Sequence, residues 1–158
     1  MTERFGHDAL ISLATVEKGK PYVRTVNSYY ENGNFYIITY VLSNKMKQME
    51  KEPEAAVCGN WFAARRVGKS LGYVGKKENA LLAGKLQNIF SAWYDNGHVD
   101  ETDLNTCILC IELTEGALFD HGKNMSWILV NKNVVICRKQ DCRPTSNANH
   151  IDTPNCPV

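Results

Sequence analysis

The sequence contains no apolar run that approaches the roughly 18 to 20 residues of a membrane-spanning helix. Its first residues, MTERFGHDAL, lack the apolar stretch of a signal peptide, so we expect a cytoplasmic protein. The net charge of +1 provides no general attraction for nucleic acid or for an anionic membrane. With 158 residues, of which 44% are hydrophobic, the chain is expected to form a single soluble domain with a sizeable core.

Six cysteines are present, but their positions favour neither a disulfide framework nor a metal site. Cys107 and Cys110 have Cys-x-x-Cys spacing, yet they lie in TCILCIEL, whose alternation is typical of a strand. Residues three apart in a strand point to opposite faces, so the two thiols would not share a metal. We interpret both as small buried hydrophobic side chains and predict the same for Cys58. No metal site is predicted.

Segments rich in Val, Ile, Thr and Tyr predict a mainly β protein. Three early strands separated by polar, Gly-containing turns form an antiparallel meander, over Ala9 to Val16, Tyr22 to Tyr30 and Asn34 to Val41. Two further strands are predicted over Glu54 to Phe62 and Lys69 to Val74, joined by a basic loop at 64–68, and a sixth over Thr106 to Phe119. Six strands can close a small barrel.

Two helices are expected to flank these strands. A short helix begins at Lys45 and stops before Pro53, and a longer one spans about Glu78 to Tyr94. The longer helix carries an apolar stripe that we interpret as cover for the core, made of Leu81, Leu82, Leu86, Ile89, Phe90 and Trp93. The sequence therefore predicts an antiparallel barrel or strongly curled sheet with two helices.

The junction between the third strand and the first helix, Ser43-Asn44-Lys45, can hold an anion. Serine is a favoured N-cap residue, and the amides of a first helical turn lack intrahelical partners. Lys45 adds a full positive charge in the same turn, so a phosphate would fit there. The same residues also suit an ordinary capped surface helix with a solvated lysine.

The order of these motifs resembles that of the pyridoxamine 5'-phosphate oxidase-related flavoproteins. The matching residues are Ile11 to Val16, Gly19 to Val26, Phe35 to Thr39, and Ser43-Asn44-Lys45 with Gln48 and Pro53. Trp93 to His98 and Thr106 to Leu109 also resemble one subgroup. The resemblance implies a six-stranded antiparallel FMN-binding split barrel of Greek-key type.

The resemblance also implies FMN as the cofactor and assigns residues to its site. Positions along the flavin, its ribityl chain or its phosphate correspond to Arg24, Thr25, Val26, Thr39, Tyr40, Ser43 and Lys45. Chemistry agrees at the phosphate, because Arg24 offers a planar fork of donors and Lys45 a compact charge for a dianion. Thr39 could equally be a plain strand threonine.

Members of this family are usually homodimers with two flavins at the subunit interface. Trp61 is a candidate to reach the flavin from the second chain, or else to be buried in the dimer core. His98 and His121 match no catalytic position of the family and are interpreted as turn or surface histidines. Arg65, Arg66 and Lys69 could receive an anionic substrate, although a solvated loop is the commoner outcome. The catalytic residues are unknown.

The implied function is an FMN-dependent oxidoreductase that uses a nicotinamide donor or a small reducible acceptor. The flavin carries the redox chemistry, so no catalytic triad is required. Pyridoxamine-phosphate oxidase activity is not expected, because the chain is short and lacks that enzyme's Arg-rich C-terminal strand. The alternative is a non-catalytic or stress-response module that binds a flavin, a deazaflavin or haem.

The C-terminus departs from the family, which divides the chain into a split-barrel domain, 1–123, and an atypical tail, 124–158. The family's final strand resembles Tyr-x-x-Asp-Phe, which is missing after Gly122. Asn124 to Ile128 can be back-translated as AAT ATG AGT TGG ATT, and the frame beginning at its third base encodes Tyr-Glu-Leu-Asp. We therefore hypothesise a one-base shift, after which Ser126 to Cys137 could still form a strand and Arg138 to Val158 is predicted to be disordered. Zinc binding is not expected from the tail's Cys137, Cys142, His150 and Cys156.

Overall fold

The structure is a computed structural model and describes residues 1–120, 123–130 and 133–138. Its strands are β1 (Ala9–Glu17), β2 (Lys20–Glu31), β3 (Asn34–Tyr40), β4 (Glu54–Gly59), β5 (Phe62–Tyr73), β6 (Thr106–Asp120), β7 (Lys123–Val130) and β8 (Asn133–Arg138). Its helices are α1 (Thr2–Phe5), α2 (Asn44–Lys51), α3 (Ala80–Ile89) and α4 (Ser91–Trp93), with a 3₁₀ turn at Lys77–Asn79 and an irregular turn at Tyr94–His98.

Six strands close into an antiparallel ring. Their order is β3-β2-β1-β4-β5-β6, and an additional pairing between β3 and β6 completes the circle. Because β4 returns to lie beside β1 after the β1-β2-β3 meander, the connection is a Greek key. The predicted six-stranded split barrel of Greek-key type is confirmed. Strands β7 and β8 extend the sheet beyond β6.

The barrel is split between β2 and β3. β2 pairs with β1 from Lys20 to Ser28, but with β3 only at Tyr29, Tyr30 and Glu31. The first part of β2 therefore leaves β3 and opens a gap. Backbone groups of β2 that face this gap have no partner in β3, and such groups can bind a ligand.

Two apolar clusters hold the elements around this gap. One fills the barrel, where β1 alternates inward-facing Ile11 and Leu13 with outward-facing residues. The other lies between α3 and the outer face of the sheet, and contains Leu86, Phe90 and Ile108. The two clusters fix α3 and the turn after it against the strands that border the gap.

The predicted basic loop at 64–68 is wrong. These residues belong to β5, and the hairpin with β4 turns instead at Asn60 and Trp61. Arg65 lies on the outer face of the sheet, where it forms an exposed ion pair of 3.1 Å with Glu115. Arg65 suggested a loop in the sequence, but an outward-facing strand position also tolerates a charged side chain.

The long helix is shorter than predicted and its stripe is narrower. α3 ends at Ile89, and the chain bends at Phe90 before the short α4. Leu86 and Phe90 are fully buried, as expected, whereas Leu81 is 92% exposed. Leu81 lies on the face of α3 away from the sheet, whereas Leu82 and Ala83 in the same turn pack against the cluster that contains Leu86.

The cysteine predictions hold for two residues and fail for one. Cys107 and Cys110 are buried in β6, and burial raises the pKa of both thiols, that of Cys110 to about 11. Cys58 is exposed, because alternate residues of β4 face outward. It is therefore not the buried hydrophobic side chain that was predicted.

The strand predicted at Ser126 to Cys137 is present as two strands, β7 and β8, which pair antiparallel. Disorder was predicted for Arg138 to Val158, but Arg138 is the last residue of β8. Residues 139–158, with Cys142, His150 and Cys156, lie outside the described residues, as does His121. The division at residue 123 and the one-base shift stay predictions. Within the described ranges, no helix is long and apolar enough to cross a membrane.

Candidate functional site

A cavity of about 510 Å³ lies at the gap between β2 and β3. Its walls come from β1, β2 and β3, from the first turn of α2, and from the segment after α3, through Leu10, Val26, Asn27, Ile37, Ile38, Lys45, Trp93 and His98. This volume is in the range of small-molecule sites, and a mostly apolar lining with a few polar groups is typical of them.

One end of the cavity lies at the N-terminus of α2. Ser43 occupies the N-cap position with φ −66° and ψ 153°, but its hydroxyl makes no capping hydrogen bond. Its Oγ is buried and has no hydrogen-bond partner among the described residues. The first helical amides with partners are those of Met46 and Lys47, which donate to the Ser43 carbonyl at 3.1 Å. The helix N-terminus therefore presents unused donors.

Two cations stand at this end, which we call the cationic end (Arg24, Ser43 and Lys45). Burial lowers the pKa of Lys45, and the charge of Arg24 lowers it further. Burial also lowers the pKa of Arg24. In the described part of the chain, no carboxylate forms an ion pair with either residue. Two partly desolvated cations with no acidic partner favour binding of an anion.

Arg24 is fixed by a polar network below α2. Its guanidinium donates to Thr15 Oγ1 at 2.6 Å and to Gln48 Oε1 at 3.0 Å. Thr15 donates in turn to the same Gln48 oxygen at 2.6 Å, and both Thr15 and Gln48 are buried. The network ties the inner face of α2 to β1 and β2, and so sets where the helix N-terminus points.

The opposite end of the cavity is held by Asp8. Its carboxylate accepts hydrogen bonds from Trp93 Nε1 at 2.7 Å and from Asn27 Nδ2 at 2.8 Å. One acidic side chain thereby joins α4 to β2. We call Asn27, Trp93 and His98 the far wall of the cavity.

The turn that carries His98 is anchored by its neighbours. Tyr94 is buried and donates to Glu101 Oε1 at 2.6 Å, and Tyr73 donates to the Glu101 backbone carbonyl. Burial, reinforced by the Glu101 carboxylate, raises the pKa of Tyr94, so its hydroxyl stays a donor. These contacts hold the irregular turn beside the cavity.

Of the predicted site residues, Val26 and Lys45 line the cavity. Arg24 lies beside Lys45 but bonds to the network below α2, and Ser43 stands at the helix N-cap. The remaining four are in different places: Thr39 and Tyr40 end β3, Thr25 is exposed on the outer face of β2, and Trp61 is exposed at the hairpin tip. Their roles stay predictions.

Sequence reasoning missed the far wall. His98 is an exposed residue of the irregular turn and Trp93 packs against the cluster that contains Leu86 and Phe90, as predicted. That both also line the cavity was not predicted. The run WYDNGH, which resembles one subgroup of the family, was the available signal. Its meaning depends on how α4 meets β2, which local spacing does not reveal.

No family model matches the chain, and no curated protein matches it significantly. Solved structures do. A FAD-binding protein from Mesorhizobium loti shares 15% identity and a TM-score of 0.59, over 73% of this chain and 88% of that one.

Two further solved structures are similar to this chain to the same degree. A pyridoxamine 5'-phosphate oxidase-related, FMN-binding protein from Nostoc punctiforme shares 15% identity and a TM-score of 0.58, over 82% of this chain and 85% of that one. A heme-binding protein from Mycobacterium smegmatis shares 11% identity and a TM-score of 0.59, over 78% of this chain and 53% of that one. The chain therefore has the fold of the pyridoxamine 5'-phosphate oxidase-related split barrels that its sequence resembles.

Proposed function

We propose that the protein binds FMN in the cavity between β2 and β3, with the phosphate at the cationic end. The observation that carries this proposal is the Ser43 hydroxyl, which is buried without a hydrogen-bond partner among the described residues. A buried, unsatisfied hydroxyl is costly unless a ligand completes its hydrogen bonding. Phosphate oxygens are strong acceptors for such a donor.

The charges at this end fit a dianion. Lys45 supplies a point charge, Arg24 adds a second positive charge nearby, and the N-terminus of α2 contributes its partial positive charge. A bound phosphate would offset the repulsion between the two cations. Riboflavin has the same ring without the phosphate, so it lacks this attraction.

We further propose that the protein is an oxidoreductase and works as a homodimer, with a small-molecule substrate and a nicotinamide electron donor. Bound FMN supplies hydride transfer at its ring. The chain's own residues bind and orient the ligand: the unpaired backbone of β2 faces the gap, and the apolar Val26 and Ile38 exclude water. In the dimer, Trp61 of one protomer contributes to the site of its partner.

A haem-binding module is the second candidate function. One neighbouring structure is described as heme binding, and His98 places an imidazole, the commonest protein ligand for metals, on the cavity wall. The absorption spectrum of protein reconstituted with FMN or with haem separates the two functions. Bleaching of a flavin band by NADH, and its recovery with an acceptor, would support the oxidoreductase over a non-catalytic flavin module.

The phosphate assignment is tested by titrating FMN and riboflavin into the wild type, Ser43→Ala and Lys45→Ala. We expect the wild type to prefer FMN, and the Lys45→Ala variant to lose most of that preference, roughly tenfold or more. The Ser43→Ala variant should lose a smaller part of the preference for FMN over riboflavin. Lys47→Ala, an exposed change on the same helix, is the matched control. An unchanged FMN preference in both site variants would refute the assignment.

A further inference from the structure

We propose that Trp93 and His98 form a binding site for the flat, conjugated ring of the ligand, and that Asp8 positions Trp93 for this role. The inference rests on the proposed function, because it concerns the other end of the same cavity. It gives the far wall a role in ligand binding, which the family resemblance did not do. It also predicts that one set of substitutions weakens binding of the ring and another set weakens binding of the phosphate.

The spacing of the two ends along β2 fits such a ligand. Arg24 marks the cationic end through its bond to Gln48 of α2, and Asn27 marks the far wall through Asp8 and Trp93. Three residues of extended strand span about 10 Å. In FMN a five-carbon ribityl chain separates the phosphate from the ring. A phosphate at Lys45 would therefore bring the ring toward the far wall.

Trp93 is held as a rigid aromatic surface. Its indole N–H is already used by Asp8, so the ring offers the ligand apolar contact rather than a donor. Phe90 packs against it with ring centroids 4.9 Å apart, and Tyr94 follows at 6.3 Å. A side chain restrained on several sides loses little entropy when it packs against a flat ring.

His98 supplies a polar group beside this surface. Gly97 adopts φ 78°, a left-handed conformation that favours glycine, and so turns the chain just before His98. The imidazole is exposed and lines the cavity. It can donate or accept a hydrogen bond at the carbonyl oxygens and nitrogens along the edge of a flavin ring.

Lumiflavin, which has the flavin ring without the ribityl phosphate, is the probe for this end, and FMN and inorganic phosphate are the comparisons. Trp93→Leu and His98→Ala should each weaken lumiflavin binding by roughly five- to tenfold and leave phosphate binding unchanged. Trp93→Phe keeps most of the volume and should retain more affinity, which guards against a folding defect. Leu81→Ala, at an exposed site on α3, is the control.

Fluorescence gives a direct readout. With Trp61 and Trp127 replaced by Phe, Trp93 is the sole tryptophan of the three in the sequence, and lumiflavin should quench it. Phe keeps an aromatic ring at position 61, which the proposed site receives from the partner, and the lumiflavin affinity of this background is first compared with that of the wild type. In this background Asp8→Asn should shift the emission of Trp93 and weaken lumiflavin binding. If Asp8→Glu restores the emission of Trp93 and the affinity for lumiflavin, the result would support the role of Asp8 in positioning Trp93.

The outcomes separate the two proposals. If the wild type prefers FMN but lumiflavin leaves Trp93 unquenched and binds the variants normally, the ring-end inference is overturned and the phosphate site stands. If lumiflavin quenches Trp93 but FMN has no advantage over riboflavin, the ring end is supported and the phosphate site fails. If the wild type binds neither lumiflavin nor FMN, both proposals are overturned.

Discussion

Lys45 is a residue at which stability and binding are in conflict. Its amine is partly desolvated and lies near a second cation, and no described carboxylate pairs with it. Such a group destabilises the ligand-free fold, and its charge becomes favourable only when an anion binds beside it. Sequence spacing identified the lysine, but only the packing reveals this cost.

Lys45→Met should therefore stabilise the ligand-free protein by about 0.5 to 2 kcal/mol and remove the preference for FMN over riboflavin. Urea denaturation measures the first effect and ligand titration the second. Lys47→Met, at an exposed position of the same helix, should change neither. A loss of stability in Lys45→Met would contradict the view that the partly desolvated amine is unfavourable.

The pH dependence of FMN binding follows from the same group. Burial and Arg24 lower the pKa of Lys45, so in the free protein its charge is lost at a lower pH than for an ordinary lysine. The attraction for phosphate is complete below that pKa and declines above it. The ratio of riboflavin to FMN dissociation constants should fall as the pH enters the alkaline range. In Lys45→Arg this alkaline fall should disappear, because arginine does not titrate there.

Trp61 occupies a strained position. Asn60 and Trp61 have φ 45° and 60°, the pattern of a two-residue hairpin turn that suits Asn-Gly, and the Trp61 side chain is 76% exposed. A bulky residue in this conformation costs roughly 1 to 2 kcal/mol. Backbone strain at an exposed aromatic is typical of a functional contact.

Trp61→Gly should accordingly raise the free energy of unfolding by about 1 kcal/mol, although it deletes a large side chain. Chemical denaturation at a fixed protein concentration measures this. Asn60→Ala, which puts a less suitable residue at the neighbouring positive φ, should destabilise the hairpin. If Trp61→Gly destabilises the protein, the tryptophan packs on the fold rather than awaiting a partner.

At the scale of elements, α2 and β2 are joined by Gln48. Its amide oxygen is the shared acceptor for Arg24 and Thr15, and the side chain is 3% exposed. Its amide nitrogen donates to Glu17 Oε2 at 3.5 Å, and no carboxylate bonds Arg24 directly among the described residues. The positive charge of Arg24 therefore helps the cationic end attract an anion. The side chain at position 48 therefore controls both the position of α2 on the strands and the electrostatic potential at the N-terminus of α2.

Gln48→Glu should weaken FMN binding by roughly tenfold and leave riboflavin binding nearly unchanged, because a carboxylate would compensate Arg24. Gln48→Met removes the acceptor without adding a charge. It should cost about 1 to 3 kcal/mol of stability, since Thr15 and Arg24 lose a buried partner, yet keep most of the FMN preference. Equal loss of both ligands in Gln48→Glu would indicate a displaced helix instead.

Elements were predictable from the sequence where one periodicity dominated. β1 alternates buried and partly exposed residues from Ile11 to Val16, and α2 ends before Pro53 as expected. Prediction failed for Arg65, a charged residue that lies in a strand rather than in a loop. It also failed for Leu81, an apolar residue that is exposed rather than packed on the core. Tertiary contacts, not local preference, decide those positions.

For the molecule as a whole, the candidate site was half predictable. Lys45 lies in the first turn of the helix that follows β3, so local order identifies it. Trp93 and His98 reach the cavity only because α3 packs on the outer face of the sheet, and Asp8 then joins α4 to β2. The sequence around Asp8 and the sequence around Trp93 contain no pattern that predicts the contact between these two residues.

The outer face of β2, β1 and β4 exposes apolar side chains, which makes it a candidate surface for contact between two copies of the molecule. Ala14 of β1 stands between Val23 and Ala56 in one row across the three strands. Val23 is 68% exposed, and Leu10 is exposed on the same sheet. Small side chains in a row let a second sheet or its edge approach closely. A stable dimer needs about 800 Å² from each partner, which a face of three strands can supply.

The proposed dimer should therefore dissociate in Val23→Asp, because the change would bury an unpaired carboxylate at its interface. Sedimentation equilibrium should give a dimer for the wild type and a monomer for the variant. Leu81→Asp, at an exposed site away from this face, should remain dimeric. If each flavin site needs its partner's Trp61, the Val23→Asp monomer should also bind FMN more weakly. A monomeric wild type that binds FMN fully would contradict both the dimer and the shared site.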